Sequence, residues 1–256
     1  MKRLISYISA LFFVFTFTLA SAENKVLDTL WQAGNDNYAM ANFNAAIENF
    51  TAINENGYES AKLYYNLANS YYRNKEIGKS VLYYKKALKL DPSFSDAKAN
   101  LAMAKARCVD KIDKVPEFMV VTWVKNIRNK LSSNAWAMLA IVLLALALIL
   151  FLLLKFYWRG VAAKVAFVIS IFLILLMLIS LSFSISLYHR ATLTNEGVVV
   201  SSVGGVKSSP SNDGNPIFIL HEGSEFEILE SVEGWCKIEI ADGRQGWIKS
   251  SDIEVV

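Results

Sequence analysis

Residues 135–154 read AWAMLAIVLLALALILFLLL, and residues 165–187 read VAFVISIFLILLMLISLSFSISL. Neither stretch holds a charged residue. An α-helix needs about 20 residues to cross a hydrocarbon core of about 30 Å. It also satisfies its own backbone hydrogen bonds, as lipid requires. The stretches read as two transmembrane helices, 135–154 and 165–188, joined by a linker over 155–164. Lys155, Arg159 and Lys164 in the linker surround Tyr157 and Trp158. Basic and aromatic residues at span ends mark a cytoplasmic turn. Lys125, Arg128 and Lys130 lie beyond the other end of the first span and dilute that bias.

The chain start settles the orientation. Lys2 and Arg3 precede an apolar run that includes Leu11-Phe12-Phe13-Val14-Phe15, and Ala20-Ser21-Ala22 supplies a small-x-small cleavage site before Glu23. Residues 1–22 therefore read as a secretory signal. The alternative is an uncleaved anchor, which would add a span at the front. Either way the segment over 23–110 is exported, and two further spans return the C-terminal part, 191–256, to the same side. The expected location is a bacterial inner (cytoplasmic) membrane with both soluble modules extracytoplasmic.

Composition narrows the function classes. The chain has 256 residues and 54% are hydrophobic, a value raised by the two spans. A net charge of +3 gives no concentrated basic face for nucleic acid. Two His and two Cys cannot assemble the usual zinc spacings, so no metal or other cofactor is expected. No phosphate loop, dinucleotide fingerprint or Gly-x-Ser-x-Gly motif occurs, and His189 and His221 lack a nucleophile partner in a recognisable motif. They read as surface or interface histidines, and no catalytic residue is assigned.

Residues 25–109 form a run of amphipathic helices that repeats every 34 residues. The shift aligns Gly34 with Ala68, Asn35 with Asn69, Ala46 with Ser80 and Phe50 with Tyr84. It also aligns Gln32 with Asn66 and Asn100. A period of 34 is that of the tetratricopeptide repeat. Small residues at Gly34, Ala46, Ala68 and Ser80 let paired helices approach closely, and the rings of Phe50 and Tyr84 fill the gap to the next pair. Pro92 ends the second copy after Asp91, because proline cannot continue a helix cheaply. The second copy, 64–92, resembles the tetratricopeptide family through Leu67, Ala68, Asn69, Tyr71, Ala87 and Pro92. The first departs from it at Asn37 and Tyr58, and the third is a single helix, roughly 95–108, that reads as a cap. Two repeats and a cap make a small stack, so it is expected to lean on the membrane, on itself or on a partner for stability.

The tetratricopeptide resemblance implies a concave groove lined by the first helix of each repeat. Carrying its groove positions over gives Gln32 and Asn35 in the first repeat, Asn66, Asn69 and Arg73 in the second, and Asn100 in the cap. Asparagine offers both donors and acceptors, which suits the backbone of an extended peptide. The bland alternative is that asparagine recurs here for structural reasons. The basic clamp that some family members use for a terminal carboxylate is largely missing, since Arg73 is its one clear candidate.

Residues 111–134 connect the stack to the first span. After Pro116 come Phe118-Met119-Val120-Val121 and Trp123-Val124, then Lys125, Arg128 and Lys130. This juxtamembrane amphipathic segment suits either the bilayer interface or the underside of the stack.

Beyond residue 190 the hydrophobic period falls to two. Short strands over 218–220, 226–229, 236–240 and 246–248 alternate with turns at Gly223, Gly234 and Asp242-Gly243. Such strands argue for a small barrel. The run Val206-Lys207-Ser208-Ser209-Pro210, the pair Gly234-Trp235 and the closing Asp242-Gly243-Arg244-Gln245-Gly246-Trp247-Ile248 resemble the bacterial SH3 family. Cys236 is expected in the barrel core as a small hydrophobe, and Trp247 is expected to cover one end of the barrel.

The fold class is therefore a multidomain membrane protein: all-α tetratricopeptide repeats, a two-helix transmembrane hairpin and an all-β SH3-like barrel. This order of parts resembles the BatE-like branch of the Bat (Bacteroides aerotolerance) proteins. The resemblance implies a periplasm-facing scaffold that works with von Willebrand A-type Bat proteins in aerotolerance or stress. Expected partners are proteins in the membrane or periplasm and the lipid bilayer, with no nucleic acid. A second reading is a cell-envelope anchor or sensor whose barrel binds peptidoglycan. An enzyme is a third, with little in the sequence to support it.

Overall fold

A computed structural model describes residues 25–112, 116, 118–156, 160–192 and 195–256. The signal reading over 1–22 and the centre of the 155–164 linker lie outside the described residues. Helix α1 covers 25–39. It is followed by α2 (Phe43–Glu55), α3 (Ala61–Arg73), α4 (Ile77–Leu90) and α5 (Ser95–Arg107). These five stack side by side, and α3 with α4 is the tightest pair. The small residues act as their spacing suggests. A Cβ on Gly34 would stand 2.6 Å from the Phe50 ring, while Ala46, Ala68 and Ser80 are fully buried. Ser60 caps α3 by accepting from the Leu63 N–H at 3.1 Å. Helix α4 stops at Leu90 with Asp91 extended, ahead of Pro92.

A short helix α6 (Met119–Arg128) precedes the hairpin of α7 (Ser133–Phe156) and α8 (Val161–Thr192). Both long helices run past the apolar stretches, so Lys155, Lys164, His189 and Arg190 ride on their ends. Only 11% and 17% of their most apolar windows is buried, unlike the core helices of a soluble protein, which are mostly buried. Both are long and apolar enough to cross a membrane. They pack antiparallel. The Ser133 hydroxyl donates to the Ser184 carbonyl and the Ser184 hydroxyl to the Ser133 carbonyl, both at 3.0 Å. The Ser180 hydroxyl donates to the Trp136 carbonyl at 2.7 Å. Ala140, Ala147, Ala166 and Ser170 are also buried, small residues of the kind that let helices approach in lipid.

The C-terminal part is a seven-stranded antiparallel sheet. Its strands are β1 (Glu196–Val199), β2 (Val203–Lys207), β3 (Pro216–His221), β4 (Glu225–Val232), β5 (Trp235–Ile240), β6 (Gln245–Lys249) and β7 (Ile253–Val255). The order is β3-β2-β6-β5-β4-β1-β7. Its core gathers Val199, Val206, Leu220, Phe226, Cys236, Ile238, Ile240, Ile248 and Ile253. Cys236 is thus a core residue, and neither it nor Cys108 forms a disulfide. Trp247 departs from expectation. Gly246 and Ile248 face the core, so strand alternation turns Trp247 to the opposite face, where it is only partly covered. Its strand neighbours there are Lys207 and Lys237.

Candidate functional site

The groove candidates fall on α1, α3 and α5, the first helix of each unit. Asn66 Nδ2 donates to Asn35 Oδ1 at 3.2 Å, which ties α3 to α1. Asn100 Nδ2 donates to Asn69 Oδ1 at 3.0 Å, which ties α5 to α3. Asn69 Oδ1 also accepts from the Tyr84 hydroxyl at 2.5 Å, and Asn100 donates to the Tyr65 hydroxyl at 3.2 Å. Burial pushes the Tyr84 hydroxyl well above its ordinary pKa, so it stays a donor. Four asparagines therefore form two rungs between successive helices. A crevice of about 30 Å³ between Asn35, Tyr38, Phe50, Asn66 and Asn69 has room for one water.

The other two candidates stand apart. Gln32 is exposed one turn before Asn35 on α1. Arg73 lies at the far end of α3, with its guanidinium 5.1 Å from the centre of the Phe43 ring. The sequence reading passed over Tyr65 and took Tyr84 only as packing. Tyr65 directly precedes Asn66, so its place on the same helix was available as a signal.

A second set of contacts went unforeseen: the barrel docks on the α4 side of the stack. Val198 and Val256 belong to the same apolar cluster as Tyr83, Tyr84 and Ala87. Alternation along β1 sends Val198 to the stack and Val199 to the barrel core. The Glu222 carboxylate accepts from the Gly78 N–H at 2.9 Å. Lys85 pairs with Glu196 at 3.0 Å and Glu225 at 3.4 Å, and Lys105 also pairs with Glu225. Lys89 donates to the Val256 carbonyl at 2.6 Å.

After α5, Asp110 turns into the barrel. It accepts from the His221 N–H at 2.7 Å and the Ser224 hydroxyl at 2.5 Å, and meets His221 Nδ1 at 2.9 Å. Burial opposes ionisation of Asp110, but these hydrogen bonds outweigh it and hold the carboxyl below its ordinary value. Glu196 is lowered as well, with Lys85 and then Arg190 overcoming its burial. Gly223 has φ of +84°, and a Cβ there would stand 2.4 Å from Cys108 Sγ. The short stack thus leans in part on the barrel, which the sequence reading had not named.

Among the described residues, the asparagine rungs bond within the stack rather than to the barrel. Among the described residues no group of three or more His, Cys, Asp or Glu is placed to hold a metal.

Two family models match this chain. The tetratricopeptide repeat matches residues 61–94, which hold α3 and α4. The bacterial SH3 domain matches residues 202–254, which hold β2 to β6 and most of β7. No curated protein matches the chain. The chain is thus similar over one part to tetratricopeptide repeats and over another to bacterial SH3 domains, both typically interaction modules rather than catalysts.

Proposed function

We propose that the protein is a non-catalytic membrane scaffold whose helical stack holds a protein partner against the α1–α3–α5 face. The observation that carries this reading is the asymmetry of the stack. Its α4 side is occupied by the barrel, while the rungs Asn35–Asn66 and Asn69–Asn100 lie at least partly exposed, with the exposed Gln32 one turn before Asn35. An inner membrane with both modules outside the cytoplasm is the setting we propose, on the strength of the N-terminal signal pattern and the basic linker. The order of parts further supports a Bat-type assembly with von Willebrand A-type partners. The rungs also decide which variants test the idea. Asn69→Ala would strand the buried Tyr84 hydroxyl, so a loss of binding could come from loss of packing. Gln32→Ala with Asn35→Ala changes exposed side chains and opens one rung, Asn35–Asn66, while leaving the Tyr84 hydroxyl its partner. A photo-crosslinker at Gln32 of the full chain should capture a membrane or periplasmic protein, and one at Asp213 in the barrel should not. With the crosslinker at Asp36 instead, capture should be lower in the Gln32→Ala, Asn35→Ala background than in the parent chain. Equal capture from Gln32 and Asp213 sinks the reading.

A second reading has one observation in its favour. The strand pairings leave β3 an open edge with Ile217 and Ile219 exposed on its outer face, so the docked barrel still offers a surface to the envelope. Sedimentation of the full chain with purified peptidoglycan, lost on Ile217→Lys with Ile219→Lys, would transfer the main role to the barrel.

A further inference from the structure

We infer that α6 lies in the plane of the bilayer surface as a lipid-binding helix. Its outward side chains would enter the headgroup–acyl boundary and fix the soluble block against the membrane. The inference rests on the reading that α7 and α8 span the bilayer.

The argument starts from how α6 divides its faces. At 100° per residue, Met119, Val120, Trp123, Val124 and Ile127 fall on one arc, and Thr122, Lys125, Asn126 and Arg128 on the other, with Val121 the one apolar residue among them. Thr122, Lys125 and Asn129 line a cleft of about 1000 Å³ whose other walls come from α4, α5, the barrel, Pro116 and Arg190 at the end of α8. The polar arc therefore looks toward the protein's own soluble body. The apolar arc looks away from it, and no residue of α6 is buried. Met119 is 84% exposed and Trp123 63%, with Phe118 beside them at 80%. This removes the alternative in which the apolar face packs under the stack.

What covers that face follows from where α6 ends. The Arg128 carbonyl accepts from Trp136 Nε1 on α7 at 2.8 Å, and the Arg128 guanidinium donates to the Ser186 hydroxyl on α8 at 3.0 Å. The C-terminal end of α6 is thereby fastened to the mouth of the hairpin. The apolar surface of the hairpin continues into the apolar arc of α6 with only residues 129–132 between the helices. Arg128 and the exposed Lys130 stand at that boundary, where basic side chains meet lipid phosphates. Trp on the apolar side and Lys/Arg on the polar side is the pattern of in-plane helices. A bilayer is thus the occupant that both continuity and charge select.

The test uses the full chain with Cys108→Ala and Cys236→Ala, reconstituted in vesicles of phosphatidylethanolamine and phosphatidylglycerol. Single cysteines at Met119, Trp123, Lys125, Leu175 and Asp213 carry a nitroxide spin label. Collisions with oxygen, enriched in lipid, are compared with those of a water-soluble nickel chelate. The oxygen-to-nickel ratio at Met119 and Trp123 should exceed that at Lys125 and Asp213 several-fold and approach that at Leu175. A ratio at Met119 and Trp123 equal to that at Asp213, with Leu175 still in lipid, would overturn the inference and spare the hairpin. Protection of both sites from both reagents would overturn it too, because a second copy or another protein would then cover the face. A water-like ratio at Leu175 would remove the membrane reading beneath it.

Discussion

On its α4 side the helical stack meets the barrel through buried Val198 and Val256, a close approach at Gly78 and Gly223, and charged pairs on Lys85 and Lys105. On the side lined by α1, α3 and α5 it carries amides that pair across helices without apolar cover. The two sides are built from the same repeat, yet they solve different problems. The first supplies the burial that so short a stack cannot find within itself. The second needs only enough internal pairing to hold the helices in register, and leaves hydrogen-bonding capacity over. The difference separates residues that hold the molecule together from residues that can be spared for a ligand.

The most disruptive single change should be Gly223→Ala, on the docked side. It sets a side chain at φ of +84° and drives its Cβ into Cys108 Sγ. Left-handed strain and overpacking together should cost about 3 kcal/mol. Thermal unfolding of the detergent-solubilised chain should show it as a lower Tm, and Cys108→Ala in the same chain should restore part of the loss. No restoration would mean that the strain, rather than the contact with the stack, carries the effect.

Acid should weaken the same side more gently. Asp110 and Glu196 titrate lower in the folded chain than when unfolded. Their contribution is therefore complete above the ordinary carboxylate range, about 4, and drains away as pH falls through their folded values. Protease sensitivity around Asp110 should rise below about pH 4. Asp110→Asn should flatten that rise. A pH profile identical to that of the parent chain would remove Asp110 from the junction's energetics.

The smallest effect belongs to Trp247, outside both surfaces. It lies between lysine stems on the outer face of the barrel, so Trp247→Ala should cost about 1 kcal/mol, the scale of a cross-strand pair. Chemical denaturation gives that number directly. A loss near the 3–5 kcal/mol of a buried tryptophan would place the ring in the core after all.

Much of this molecule is legible in its residues because local pattern carries it. Two uncharged runs announce α7 and α8, and the 34-residue recurrence announces close packing at Gly34 against Phe50. Glycine turns mark β3 to β6. Strands β1 and β7 were invisible, because four and three residues show no periodicity and both pair across long chain distances. Docking was invisible for the same reason: Glu222 reaches Gly78 across 144 residues and no local pattern records it. The asparagine recurrence was readable as a ladder, but its rungs were not, since pairing depends on the spacing between helices. Trp247 was recoverable from alternation, because an inward Ile248 requires an outward neighbour.

Asp110 and His221 are 111 residues apart, and the hairpin lies between them. Stack and barrel are therefore two ends of one tethered loop, and their association is intramolecular. Tethering of this kind supplies an effective concentration on the millimolar scale. A junction that stays closed in the intact chain can thus have an affinity too weak to register between separated fragments. Cutting the chain within the hairpin while lipid holds both halves should leave the barrel in place, and dissolving the bilayer afterwards should let it drift off.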